Sequence, residues 1–423
     1  YVFNNNNNDK PLFKIHSFGE YMKDLYQLMQ LITDGPTKSF CYQRLKTIEA
    51  KYRLHCLLNE GNELSEVKKV SHRDFYNVRK VDTHIHHSAC MTQKHLLRFI
   101  KSKLKKEPST IVYNDKTLKE LFEELNLSPY DLNIDQLGMN AQDSFHRFDR
   151  FNSKYNPIGV PALRSVFLKT DNVIKGRFLA EVTKEVLNDL KDSKYQYSEY
   201  RLSIYGKKQS EWNTLSDWVI DNKLLHPKVL WMIQIPRLYA IMKKYGFINN
   251  FHEYIENIFK PLFEVTLNPN KNPKLHIFLQ TIVGFDSVDD ESLPETKRVR
   301  YPNPTQWDLE ENPPYLYWLY YKWINITKLN KLREKRGLNT FAFRPHCGEA
   351  GHEDHLASAF LLANCINHGI VLRKTTVLQY LYYLTQIPIS LSPLSNNILF
   401  DKYDNNPFPK FFRRGLNVTL STD

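Results

Sequence analysis

Two histidines that stand two residues apart, His84 and His86, are the first side chains in this sequence that could do chemistry. They end the run Lys80-Val-Asp-Thr-His-Ile-His86, whose composition favours a β-strand. Side chains two apart on a strand point to the same side, so both imidazoles can reach one metal ion, and imidazole is a common zinc ligand. With 15 histidines in the chain, such a pair is more often structural unless a third ligand joins it.

A third histidine, His346, closes another β-rich run and is followed by Cys-Gly-Glu. The acid of that turn, Glu349, is placed to stand beside a metal without coordinating it and to donate a proton. The alternative is a helix-start carboxylate, which the dipole of a helix beginning near Leu356 would favour. We predict that His352 and His355 in the same stretch are solvated helix-start residues rather than ligands.

Two more side chains stand at the ends of strand candidates. His368 lies in Ile-Asn-His-Gly, and Asp423 ends Leu-Ser-Thr-Asp. A lone histidine before glycine is usually structural, but a strand-end position beside the other candidates makes a functional role as plausible. Asp423 would complete a set of three histidines and one aspartate, which suits zinc. The fourth strand candidate ends in Val-Gly-Phe-Asp-Ser, without the lysine that commonly bridges two metals, so we predict one metal ion.

These residues can meet only if the strands that carry them end at one edge, as the parallel strands of a barrel do. The strand candidates are Lys80–Ile85, Tyr197–Tyr205, Lys228–Pro236, Leu275–Phe285, Thr340–His346, Ala363–His368, Ile387–Ser392 and Leu416–Asp423. The helix-like segments between them are Lys94–Lys105, Leu163–Leu190, Leu316–Leu332 and His355–Leu362. Eight such units favour an α/β fold of the (β/α)₈ TIM-barrel type, with a doubly wound α/β sheet as the alternative.

The rest of the chain suggests three regions. We expect a disordered Asn-rich tail over residues 1–16, a helical extension that packs on the barrel over 17–78, and the barrel itself over 79–423. Apolar residues at helical spacing predict two helices between Gly19 and Asn62. Because the sequence starts with Tyr1 and stops just after a strand-like run, we expect a piece of a longer protein in which C-terminal helices follow the eighth strand.

The composition is that of a folded protein, with 42% hydrophobic and 25% charged residues over 423 positions. The formal net charge of +12 favours an anionic partner, which could be nucleic acid, a membrane surface or a phosphorylated small molecule. No apolar run reaches the roughly eighteen residues that span a bilayer, so we predict no membrane span. Five scattered cysteines without a Cys-x-x-Cys pair indicate a reducing compartment and predict a cytosolic protein.

Long segments of the chain resemble the AMP deaminase family, in the adenosine-deaminase branch of the metal-dependent amidohydrolases. The resemblance runs from about Gly35 to the end of the chain. The segments that carry it are His72–His86, Met91–Ile100, Phe145–Pro157, Arg344–Gly351 and Ser392–Asn397. It implies an enzyme of purine nucleotide metabolism that deaminates AMP hydrolytically to IMP and ammonia, by attack of a metal-bound hydroxide on purine C6.

The resemblance also implies roles for single residues. The positions that match the family's zinc ligands are His84, His86, His346 and Asp423, with one zinc ion per subunit. Glu349 would protonate the purine ring nitrogen and contact substrate, His368 would accept the proton of the attacking water, and His86 would also touch substrate. The family suggests a homo-oligomer, a tetramer, with purine nucleotides as possible effectors. It continues past Asp423 with further substrate contacts, so we expect residues 1–423 alone to turn over poorly.

One segment matches the family's substrate-binding stretch. The predicted substrate contacts in it are Arg150, Phe151, Asn152, Ser153, Lys154 and Tyr155. Arg150 and Lys154 could make charge-assisted hydrogen bonds to the phosphate of AMP, and the two aromatic rings offer stacking surface. Lys94 and Arg98, one helical turn apart, are weaker phosphate candidates.

Three other functions stay open at this point. The chain could deaminate adenosine or another aminopurine, although the cations of Arg150–Tyr155 speak against it. It could be a nucleotide-sensing barrel without turnover, although every metal and proton-transfer position is filled. The net charge alone would suggest nucleic-acid binding, for which the sequence offers no other support.

Overall fold

A computed structural model describes residues 3–4, 7–11, 15–127, 158, 160–296, 300–399 and 402–423 of the chain. At its start two short strands, β1 Phe3–Asn4 and β2 Asn7–Pro11, pair antiparallel. Two helices follow, α1 Phe18–Thr33 and α2 Gly35–Lys69, as the spacing of apolar residues predicted. The division into 1–16, 17–78 and 79–423 stays a prediction, as does the disordered state of the first region.

The main sheet has eight strand positions. Its strands are β3 Lys80–His86, β6 Gln196–Ser203, β7 Val229–Pro236, β8 Ile282–Val288, β9 Ala342–Phe343, β10 His346–Cys347, β11 Ile366–His368, β12 Ile389–Leu391 and β13 Val418–Leu420. A small hairpin, β4 Ile111–Tyr113 and β5 Lys116–Thr117, lies between the first two. All pairings in the main sheet are parallel, in the order β3-β6-β7-β8-β9 and β10-β11-β12-β13. The fifth position is split into β9 and β10 because Pro345 between them has no N–H to continue the ladder.

The sheet closes on itself. The N–H of Asp423, just past β13, donates to the carbonyl of His84 in β3 at 2.7 Å. The N–H of Thr422 donates to the carboxylate of Asp82 at 3.2 Å. The eighth strand therefore lies beside the first, which an open doubly wound sheet does not allow. The predicted (β/α)₈ barrel is confirmed, and each of the eight strand candidates overlaps an observed strand.

Helices connect the successive strands. Those between β3 and β6 are α3 Gln93–Lys106, α4 Leu118–Glu124, α5 Pro161–Leu168 and α6 Arg177–Asp192. Those between β6 and β8 are α7 Glu211–Asp221, α8 Tyr239–Lys244, α9 Phe251–Leu267 and α10 Pro273–Leu279. The remaining ones are α11 Tyr315–Lys335, α12 Asp354–Leu362, α13 Thr376–Thr385, α14 Pro393–Leu399 and α15 Phe408–Arg413.

Two of the predicted elements were wrong in part. The single helix predicted over Leu163–Leu190 is broken into α5 and α6. The Asn172 side chain donates to three carbonyls at the end of α5 and so ends that helix. Gly176, just before α6, takes a left-handed conformation with φ +68°. The strand predicted over Leu275–Phe285 begins as α10. Its start is set by Asn272, whose side chain caps the helix by accepting from the N–H of Leu275, and by a proline in the first turn.

The two N-terminal helices pack on helices of the barrel. α1 contacts α12 and α13 and buries the face formed by Tyr21, Leu25, Leu28 and Ile32. α2 contacts α13 and α15, where Glu49 forms an ion pair with Arg414 at 3.5 Å. None of the described helices is both long enough and apolar enough to cross a membrane. The five cysteines are free thiols.

Candidate metal centre and active site

Four buried side chains converge at the end of the barrel where the strands finish. His84 and His86 come from β3, His346 from β10, and Asp423 follows β13. One potential ligand atom from each lies within 4.8 Å of those of the other three. The strand-end positions explain the convergence, because the carboxyl ends of parallel strands share one edge of the barrel.

The spacing of these atoms suits a single metal ion. The Nε2 atoms of His84 and His86 lie 3.4 Å apart, and they lie 3.2 and 3.3 Å from the Oδ1 atom of Asp423. Ligands held tetrahedrally at zinc distances of about 2.0–2.1 Å stand roughly 3.3–3.4 Å from one another. The Nε2 atom of His346 is buried and has no hydrogen-bond partner among the described residues. The donor set therefore fits a metal.

Burial keeps two of these imidazoles ready to bind. It lowers the pKa of His84 well below the ordinary value, and it lowers the pKa of His86 in spite of the neighbouring Asp423 carboxylate. Both rings are thus neutral near pH 7, with a lone pair available for a metal. Ser395 adds a hydroxyl hydrogen bond to the other carboxylate oxygen of Asp423.

The orientation of His346 is fixed by Asp286, at the end of β8. The carboxylate accepts from the His346 backbone N–H at 3.0 Å and from its Nδ1 at 2.8 Å, which turns Nε2 toward the other ligands. Asp286 also accepts from Arg201 Nε at 2.6 Å. Burial alone would raise the pKa of Asp286, but His346 and Arg201 outweigh it and hold that pKa well below the usual range. Sequence reasoning missed this residue because the fourth strand was searched only for a lysine.

His368 ends β11 next to the donor set. Its ring centre lies 4.9 Å from that of His84 and 5.0 Å from that of His346. Its backbone is left-handed, with φ +70°, which costs free energy in a residue with a side chain. The side chain is fully buried.

Glu349 lies on the turn after β10, and its carboxyl group lies beside His368. Its Oε1 atom is 3.9 Å from Nδ1 of His368, and the side-chain amide of Asn396 lies 3.5 Å from the same oxygen. Glu349 is 5% exposed, and both its predicted proton-donor role and the alternative of a helix-start carboxylate stay predictions. A carboxyl group and an imidazole thus flank the candidate metal centre.

The predicted substrate segment Arg150–Tyr155 lies outside the described residues. Lys94 and Arg98 are exposed on α3, and neither lines the cavity that includes His87. This cavity of about 400 Å³ begins at His87, next to His86 in the chain. The ammonium-bearing residues of its lining are Lys169, Lys207 and Lys208.

The prediction that His355 is solvated was wrong. His355 is 5% exposed and lies 2.9 Å from the carboxylate of Glu291, whereas the side chain of His352 is 65% exposed. The ring of Tyr315 stacks on the His355 ring at 4.0 Å. Nothing in the local sequence indicates this contact, because Glu291 comes from the loop after β8.

A closed parallel (β/α)₈ barrel with three histidines and one aspartate at the strand ends, flanked by an acid and a further histidine, is the arrangement that metal-dependent barrel hydrolases use. The profile of the AMP deaminase family matches residues 1–423, and the chain belongs to that family.

Curated relatives agree with this assignment. A protein of Schizosaccharomyces pombe named AMP deaminase is 58% identical over 419 residues, which are 98% of this chain and 50% of that protein. The AMP deaminase of Saccharomyces cerevisiae is 56% identical over 98% of this chain and 52% of its own length. The chain spans about half the length of the curated relatives it matches. Among solved structures, that of an adenine deaminase from Arthrobacter aurescens is similar over 81% of this chain and 81% of its own chain. The two are 15% identical, and the TM-score is 0.41.

Proposed function

We propose that this chain carries the centre at which AMP is deaminated hydrolytically to IMP and ammonia, with one zinc ion per subunit. The observation that carries the proposal is the convergence of His84, His86, His346 and Asp423, with Glu349 and His368 beside them. Zinc held by such a set supplies water activation at neutral pH. Cobalt or iron could occupy the same ligands, and zinc is favoured by the ligand types.

We assign the side chains the roles that the family resemblance implies. His368 takes a proton from the attacking water, because its imidazole borders the donor set and can cycle between neutral and charged forms. Glu349 donates a proton to the purine ring nitrogen, which makes C6 more electrophilic. His86 contacts substrate on the open side of the centre. Water adds at C6, the amino group leaves as ammonia, and the purine becomes that of IMP.

The phosphate separates AMP from adenosine as a substrate. We assign its recognition to Arg150–Tyr155, whose residue types suit a phosphate and a sugar. A homo-oligomer, purine nucleotide effectors and a cytosolic location belong to the same proposal.

The test is ammonia release from AMP and from adenosine by the full-length protein, with the Glu349→Gln variant alongside. We expect a strong preference for AMP and a loss of about 100-fold or more in Glu349→Gln. Equal rates on both substrates would contradict the role of the phosphate. Zinc binding without turnover on either would favour a nucleotide-sensing barrel instead.

A further inference from the structure

A second buried carboxylate, that of Glu291, lies behind the turn that carries Glu349. One of its oxygens accepts from the N–H of Gly348 at 2.8 Å, and the other accepts from the N–H of Glu349 at 3.1 Å. The two donors are consecutive backbone N–H groups, so the carboxylate binds the backbone on both sides of the Gly348 Cα atom. Glu291 is 4% exposed.

Besides the two bonds to Glu291, the carbonyl of Gly348 in this turn accepts from the N–H of Val371 at 2.8 Å. β10 ends at Cys347 and α12 begins only at Asp354, so neither a sheet ladder nor a helix orders the residues between them. Gly348 and Gly351 are both left-handed, with φ +68° and +73°. A Cβ atom on Gly351 would lie 2.0 Å from the backbone carbonyl oxygen of Glu291, so the turn folds tightly against the segment that bears Glu291.

Glu291 is itself fixed by His355. The His355 Nδ1 atom donates to Glu291 at 2.9 Å, and its Nε2 atom lies 3.7 Å from Glu295. Burial alone would lower the pKa of His355, but Glu291 and Glu295 outweigh it and raise that pKa to about 9. His355 is therefore a cation at neutral pH, and the ion pair is buried under the ring of Tyr315. The hydroxyl of Tyr315 donates to the carbonyl of the metal-ligand candidate His346 at 2.7 Å.

We propose that Glu291, paired with His355, is a positioning residue that sets the direction in which the Glu349 carboxyl points. This inference rests on the proposed role of Glu349 as proton donor. The two hydrogen bonds hold the N–H groups on either side of the Gly348 Cα atom, and they thereby fix the backbone that determines the Cα–Cβ direction of Glu349. Proton transfer depends steeply on that geometry, since a displacement of about 1 Å can cost on the order of 100-fold in rate.

The test begins with Glu291→Gln in the full-length protein, assayed by ammonia release from AMP. The amide keeps the shape but replaces one acceptor oxygen with a donor, so one of the two backbone bonds is lost. We expect kcat to fall by about 10- to 100-fold, KM to change by less than about threefold, and metal content to stay at the wild-type value. Unchanged kcat, or a loss confined to KM, would contradict the proposal.

A double-mutant cycle separates positioning from general damage. If Glu291 acts through Glu349, the Glu291→Gln change has little further effect on the residual turnover of Glu349→Gln. Losses that multiply in the double variant would overturn the positioning role. A Glu349→Gln enzyme with wild-type turnover would instead remove the proposed function itself, so the two failures are distinguishable.

Two further variants serve as controls. Glu107→Gln removes a carboxylate that binds Arg177 and Lys103, each at 2.6 Å, on the outer helices, and we expect wild-type kcat from it. If Glu291→Gln does not fold, His355→Gln takes its place in the cycle, because it leaves both backbone bonds in place and removes only the cation behind Glu291. A smaller loss of kcat is expected, again absent from the Glu349→Gln background, and multiplying losses would again contradict the proposal.

Discussion

The carboxylate of Asp286, which orients His346, offers a test in which the losses of stability and of metal affinity can be estimated from the structure. Asp286 and Arg201 form an ion pair at 2.6 Å, and both side chains are fully buried. Neutralising one partner of such a pair costs roughly 3–5 kcal/mol of folding free energy. Asp286→Asn retains an acceptor and the shape, so we expect the lower end of that range. Losing the carboxylate that orients a metal-binding histidine costs roughly 10- to 100-fold in metal affinity, or about 1.4–2.7 kcal/mol.

The assay measures zinc affinity by competition with a chelator, and stability by denaturant unfolding of the metal-free protein. Asp289→Asn is the matched control, because it also loses a buried ion pair, with Arg237, and lies three residues further along the same strand end. Both variants should be less stable, whereas only Asp286→Asn should bind zinc more weakly. Equal zinc affinity in the two variants would refute the assignment of Asp286 as the residue that orients His346.

Three further predictions concern other parts of the molecule. His368→Gln should lower kcat by about 10²- to 10⁴-fold without loss of bound metal, measured by ammonia release and metal analysis; wild-type turnover would contradict its role as proton acceptor. The pKa of His355 is raised to about 9 in the folded protein, from about 6.5 in the unfolded chain. This shift contributes at most about 3 kcal/mol to the free energy of unfolding. The contribution is complete below pH 6.5 and is lost as the pH rises through 9. The stability difference between wild type and His355→Gln should therefore shrink between pH 6 and 9, and a constant difference in unfolding titrations would count against the ion pair. Gly284→Ala should lower the free energy of unfolding by about 1–3 kcal/mol or more, because its Cβ would lie 2.3 Å from the Ala342 carbonyl oxygen in the next strand. Gly61→Ala, which has open space around it in α2, should raise the free energy of unfolding by about 0.5–1 kcal/mol. Equal unfolding midpoints for the two variants would be inconsistent with this packing.

The candidate metal ligands were predictable because their signals are local. Alternation along a strand places His84 and His86 on one side, and the strand-end positions of His346 and Asp423 follow from a barrel in which the active site lies at one edge. The structure brings all four together. Their roles as zinc ligands, and those of His368 and Glu349 in proton transfer, stay predictions.

The residues that support the site could not be predicted, because their partners are distant in sequence. Asp286 and Arg201 are 85 positions apart, and Glu291 and His355 are 64 apart. A histidine near a helix start gives no sign of burial until the loop that covers it is known. The apolar run that begins at Leu275 shows a different limit. A short apolar run is equally compatible with a buried strand and a buried helix, and only the cap at Asn272 and the following proline favoured a helix.

We propose that the four-residue donor set holds one zinc ion that AMP deamination requires. The most direct measurement titrates zinc into the metal-depleted full-length protein while ammonia release from AMP is recorded. We predict no turnover without metal and a rate that rises in proportion to zinc until it saturates at one equivalent per chain. Full turnover by the metal-free protein, or saturation with zinc without ammonia release, would contradict the claim.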